Sequence, residues 1–137
     1  MLAMLWIGHW VVLCIITHAP VQISTPVVRR GEDKLVHFLL YFFLTLLGGL
    51  RVLRQGQQMF PGRLLFWATF YLCFAVVDEW TQQFVRRSPS LYDWMADAIG
   101  VILATWFLAA RWRRTEKYSV SAVLVNFEQS RAREEAE

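Results

Sequence analysis

Charge is scarce in this sequence: Asp, Glu, Lys and Arg make up only 18% of its 137 residues, against 56% hydrophobic. A soluble domain carries about a quarter charged residues, so the shortage argues against water as the main solvent. Cysteine is nearly absent too. The two present, Cys14 and Cys73, exclude a disulfide framework and show no metal-binding spacing. Both lie in apolar runs, where a thiol behaves as a small hydrophobe. The sequence also lacks internal repeats, low-complexity segments and any basic stripe suited to nucleic acid. Its net charge of +3 comes from arginines at the ends of apolar runs. The first apolar run has no basic leading region, and Thr17-His18-Ala19-Pro20 is a poor cleavage site, so it reads as a retained helix rather than a signal peptide.

What is present is a series of long apolar runs, with a mean hydropathy of +0.35. They predict spans at about 1–19, 32–53, 63–84 and 91–110, each near the roughly 20 residues a bilayer-crossing helix needs. The expected fold is all-α, a polytopic membrane bundle of four transmembrane helices over 1–115, followed by a polar cytoplasmic tail over 116–137. The last ten residues or so are expected to be disordered. Pro20 and Pro26 bracket a non-helical connector, and Arg29-Arg30-Gly31-Glu32-Asp33-Lys34 marks a membrane edge. Gln55-Gly56-Gln57-Gln58 with Pro61-Gly62-Arg63 reads as a turn-rich loop. Arg86-Arg87-Ser88-Pro89-Ser90 reads as another, with Ser90 placed to cap the fourth helix. Arg111, Arg113, Arg114 and Lys117 are expected to stop that helix. Gly48-Gly49 either permits close helix packing or marks a flexible helix end. His9 suits a helix–helix hydrogen bond, and His18 an interface position.

The stretch 77–100 breaks the apolar pattern. It holds Asp78, Glu79, Asp93 and Asp97 together with Gln82, Gln83, Arg86 and Arg87. Four alternating spans place both termini on one side, and they place the start of helix two, the end of helix three and the start of helix four on one face. Seven basic residues flank the side of the termini (Arg51, Arg54, Arg63, Arg111, Arg113, Arg114, Lys117) against five on the other (Arg29, Arg30, Lys34, Arg86, Arg87). The positive-inside rule therefore puts both termini in the cytoplasm. Counted from the opposite ends at 1.5 Å per residue, His37 and Asp97 lie roughly 9 Å below the boundary, Glu79 roughly 6 Å and Asp93 roughly 3 Å.

Helical spacing gives these residues faces as well as depth. His37 and Tyr41 are four apart, Glu79 aligns with Gln82 and Gln83, and Asp93, Asp97 and Gly100 continue one stripe. Asp33 and Lys34 extend the His37 face if helix two begins early enough. Arg86 or Arg87 is the nearest expected counter-ion, able to bridge two carboxylates. Three uses fit the set. It is an ion-paired structural network; or a site where His37, Glu79, Asp93 and Asp97 hold a divalent metal, as in a metal-assisted hydrolase; or a site for a polar lipid head group or envelope ligand. In the last, Trp80, Tyr92 and Trp94 sit where one end is wet and the other apolar.

The pattern Asp33-Lys34-x-x-His37-x-x-x-Tyr41, then Glu79-x-x-Gln82, then Arg87-Ser88 leading into Asp93-x-x-x-Asp97-x-x-Gly100 resembles the VanZ-like family of small bacterial membrane proteins. The resemblance covers about 33–104 and marks His37, Tyr41, Glu79, Gln82, Arg87, Asp93 and Gly100 as matches. Asp97 stands where the family more often has Asn, and Ser90 where an acidic residue is common. The usual Pro-Gly before the arginine is absent, and the loop is one residue shorter. The resemblance implies a multi-pass protein of the bacterial cytoplasmic membrane; joined to the third use above, it gives as leading expectation a non-enzymatic envelope protein whose partner is a membrane lipid or lipid-linked envelope precursor. It also implies a link to glycopeptide susceptibility, teicoplanin above all.

Overall fold

The computed structural model describes residues 1–18, 32–54 and 61–134. Four α-helices follow in order: α1 (Leu2–His18), α2 (Glu32–Arg54), α3 (Pro61–Thr81) and α4 (Leu91–Glu134). A short 3₁₀ turn, Gln82–Val85, follows α3. The described residues contain no strand. The connector bracketed by Pro20 and Pro26, the basic pair Arg29-Arg30 and the turn at 55–58 lie outside the described residues.

The long apolar runs explain the helices, and three of them are long and apolar enough to cross a membrane: Glu32–Arg54, Gly62–Val85 and Leu91–Arg114. The apolar α1 has 17 residues, about 26 Å at 1.5 Å per residue. The interior mixes apolar and polar side chains: Leu13, Leu40, Tyr41, Leu44, Tyr71, Val101 and Leu108 are buried, and so are Thr17, His37, Thr45, Asp78, Glu79, Gln82, Asp93 and Asp97. Ile7, Val11, Ile15, Phe43, Phe66, Phe70, Val77, Ile102 and Trp106 face outward. So much large apolar surface outside, with charged groups inside, is what a hydrocarbon solvent selects.

Two sequence expectations change at helix ends. Pro61-Gly62-Arg63 is the first turn of α3 rather than part of a loop. A proline's fixed φ suits a first helical position, where the amide hydrogen it lacks would have no partner. The cationic cluster at Arg111, Arg113 and Arg114 ends the apolar run but not the helix, because α4 continues to Glu134 through the polar tail and into the last ten residues, expected to be disordered. Arg, Lys and Glu are good helix formers in water, so charge after a span does not itself terminate a helix. Its 44 residues extend about 66 Å, roughly twice the thickness of a hydrocarbon core.

The helices alternate in direction. Trp6 near the start of α1 donates to Tyr71 Oη (3.2 Å) and stacks its ring against the Arg51 guanidinium, 5.2 Å away. At the other end Thr17, Asp33, Asp78 and Asp93 come together. The closest backbone approach joins α2 to α4 at Gly100, where an added Cβ would lie 2.6 Å from Phe38 O and 3.0 Å from Phe42 N. Gly48 and Gly49 also serve packing rather than a loose helix end, since Gly48 faces Tyr71 and Trp6 and Gly49 faces Leu108. His9 donates from Nε2 to Leu40 O (2.8 Å), tying α1 to α2.

Candidate functional site

The site begins with the start of α2. Because α2 opens at Glu32, Asp33 and Lys34 occupy its first turn and His37 its second, all near one end of the bundle. Asp33 accepts from Arg87 (3.2 Å to Oδ1), and Lys34 Nζ donates to Asp93 Oδ1 (3.0 Å). These two partly exposed ion pairs form the rim of the site. Lys34 also lies over the Tyr92 ring, 5.8 Å from its centroid.

Beneath the rim lies a more deeply buried group. His37 Nδ1 pairs with Asp97 Oδ1 at 3.1 Å, and both side chains are essentially inaccessible. Glu79 is fixed by neutral donors, Gln82 Nε2 to Oε2 (3.0 Å) and the Ser90 amide to Oε1. Ser90 also receives the Asp93 and Trp94 amides at its carbonyl, each at 3.1 Å, so it sits at the N-cap of α4 and links that helix start to Glu79. Asp93 and Asp97, one turn apart, avoid mutual repulsion by taking different partners, Lys34 and His37. Two sets of three donors each come within 4.8 Å of one another: His37, Glu79 and Asp97 inside, and Asp33, His37 and Asp93 at the rim. Either set offers one imidazole and two carboxylates to a cation.

Sequence reasoning placed Gln83 beside Glu79, and Arg86 or Arg87 as the counter-ion able to bridge two carboxylates. The structure turns Gln83 away and gives Arg87 one carboxylate, Asp33, rather than two. The helix tightens into a 3₁₀ turn at Gln82, and with three residues per turn position 82 stays above Glu79 while Gln83 rotates outward, donating to Trp80 O (2.9 Å). Arg87 donates to Ile16 O (3.3 Å) and Thr17 O (3.2 Å) as well as to Asp33. Its cation therefore satisfies the carbonyl end of α1, a favourable place for positive charge, rather than Glu79. Arg86 supports this path by adopting a left-handed φ of 61°, with its amide donating to Gln83 O (3.3 Å).

Asp78 was missed as a site residue. It is buried, and its Oδ1 accepts from the Thr17 hydroxyl (3.1 Å). His18 lies between Thr17 Oγ1 and Thr81 Oγ1, 3.0 Å from each through its two ring nitrogens. The signal was the pair Asp78 and Thr81, three apart in an apolar run, which defines a second polar face turned toward α1. Tyr41, one turn beyond His37, is wholly buried with its hydroxyl beside Asp78, while Asp97 Oδ2 has no hydrogen-bond partner among the described residues.

A cleft of about 400 Å³, lined by Val76, Glu79, Trp80, Pro89, Ser90, Leu91 and Trp94, opens beside this group. Glu79 belongs both to its lining and to the buried triad. Trp94, one of the lining residues, has its Nε1 buried and without an acceptor among the described residues. In comparisons with known proteins, no family model, curated protein or solved structure matches the chain.

Proposed function

We propose that the chain is a polytopic membrane protein of VanZ-like kind, crossing the bacterial cytoplasmic membrane four times with both termini inside. In this reading its outward cleft binds the polar head group of a lipid or a lipid-linked envelope precursor. The observation that carries the proposal is the double position of Glu79, at once in the lining of the cleft and in the buried group behind it. A volume of about 400 Å³ lies within the range of small-ligand sites, which run from about 300 to 1,000 Å³. Trp80 and Trp94 give the cleft aromatic walls with a polar edge, suited to the headgroup level of a bilayer. Glu79 offers an acceptor for a hydroxyl or ammonium group. The VanZ resemblance, carried by the residue pattern alone, adds the cell envelope and glycopeptide susceptibility to the proposal.

The test is mass spectrometry of lipids retained by the purified full-length chain in mild detergent. The wild type should enrich one head-group class over the source membrane, and Glu79→Gln and Trp94→Phe should each lose that enrichment. A retained-lipid profile equal to the bulk membrane in all three proteins contradicts the reading. The inner triad favours one second reading, a metal-assisted hydrolase. That activity shows itself in the same experiment as cleavage of the enriched lipid.

A further inference from the structure

We infer that the inner triad of His37, Glu79 and Asp97 is a binding site for a first-row divalent cation such as Zn²⁺ or Mn²⁺. The two donor sets share His37, but they differ in what already occupies their carboxylates. At the rim, Asp33 is paired with Arg87 and Asp93 with Lys34, so a cation there would have to displace an arginine or a lysine. Inside, Glu79 is oriented by two neutral donors, the Gln82 amide and the Ser90 backbone. Neutral donors of this kind position a carboxylate ligand without cancelling its charge.

One further atom points to something bound at this position. Asp97 is fully buried, and while Oδ1 meets His37, Oδ2 has no partner among the described residues. A buried carboxylate oxygen left unpaired is costly, and a cation between Glu79 and Asp97 supplies Oδ2 with a partner and both carboxylates with a counter-charge. One imidazole with two carboxylates suits Zn²⁺ or Mn²⁺ better than Ca²⁺, which takes six to eight oxygen ligands. Access runs through the cleft, since Glu79 lines both spaces. The cation site does not require the cleft to hold a lipid, and the two are read out separately.

The experiment is a titration of the full-length, chelator-treated chain in detergent with Co²⁺, followed by visible absorption, and then displacement by Zn²⁺. The wild type should develop a saturable Co²⁺ band at one ion per chain that Zn²⁺ removes stoichiometrically. Asp97→Asn and Glu79→Gln should weaken binding by at least about 10-fold, while the outward-facing Gln83→Ala should match the wild type. Helical circular dichroism and a single elution peak establish that each variant is folded. The wild-type titration decides the matter alone if a variant fails to fold. Absence of a saturable band in the wild type overturns the inference. So does equal binding in every folded variant, or weakening confined to Asp33→Asn and Asp93→Asn, which would move the ion to the rim.

Discussion

The two ends of the bundle are held together by different chemistry, although the same four helices run through both. At the end defined by Trp6, Gly48, Gly49, Tyr71 and Leu108, contact is made by small residues that admit bulky neighbours, helped by one indole hydrogen bond. At the end defined by Asp33, His37, Glu79, Asp93 and Asp97, the contacts are hydrogen bonds and ion pairs. The first end needs only shape. The second places several carboxylates in a low-dielectric space, which van der Waals packing alone does not reward. The difference teaches that the polar end is costly to build and that its cost has to be offset by something other than helix association.

Gly100 is the boundary between the two ends, one turn below Asp97, and its substitution should break both. Gly100→Ala puts a methyl group against the backbone of Phe38 and Phe42, so α2 and α4 must separate, at about 2–3 kcal/mol. Thermal unfolding in detergent should show the loss. A melting midpoint equal to the wild type would mean that the backbones are farther apart than the account requires.

Arg87→Ala should come next, at about 1–2 kcal/mol, because it removes the Asp33 pair and two carbonyl contacts at the end of α1. The expected signature is local. Protease or hydrogen-exchange protection should fall first in α1, whereas loss of protection around Glu79 instead would restore Arg87 as its counter-ion.

His9→Phe sharpens the comparison from the other side by removing a single bond to Leu40 O, worth about 1 kcal/mol. Smallest of all is Gln83→Ala, which should stay within about 0.5 kcal/mol because the side chain is exposed. Gln82→Ala should exceed it clearly, since Glu79 then loses a buried donor. Equal effects at 82 and 83 would argue against the 3₁₀ turn that separates them.

Much of the polar end was legible in the sequence, because helical spacing and alternating direction suffice to bring His37, Glu79, Asp93 and Asp97 to one layer. The particular partners were not. Gln83 was misplaced because a 3.6-residue period was carried across a segment that winds with three residues per turn. Arg87 does meet a carboxylate, Asp33, but its other acceptors, the carbonyls of Ile16 and Thr17, are backbone atoms that no side-chain pattern displays. Asp78 went unused because its partner Thr17 lies 61 positions away on α1, so the local pair Asp78 and Thr81 marks a polar face without showing what it meets. The continuation of α4 was missed for a simpler reason. Charged residues end a membrane span but favour a helix in water.

The central claim is that the inner carboxylates are gathered to bind something rather than to hold the bundle together. It is tested most directly by the melting midpoint of Asp97→Asn beside the wild type, both stripped of metal. An asparagine at this position still accepts from His37, and it removes one of three carboxylates, since Asp78 and Glu79 lie within electrostatic reach of Asp97. Replacing charge by a donor relieves repulsion among the three groups. The account predicts an unchanged midpoint or a gain of about 0.5–2 kcal/mol, as expected where function is maintained at the expense of stability. A midpoint lowered by about 4 °C or more would contradict it and show that the Asp97 charge holds the fold together.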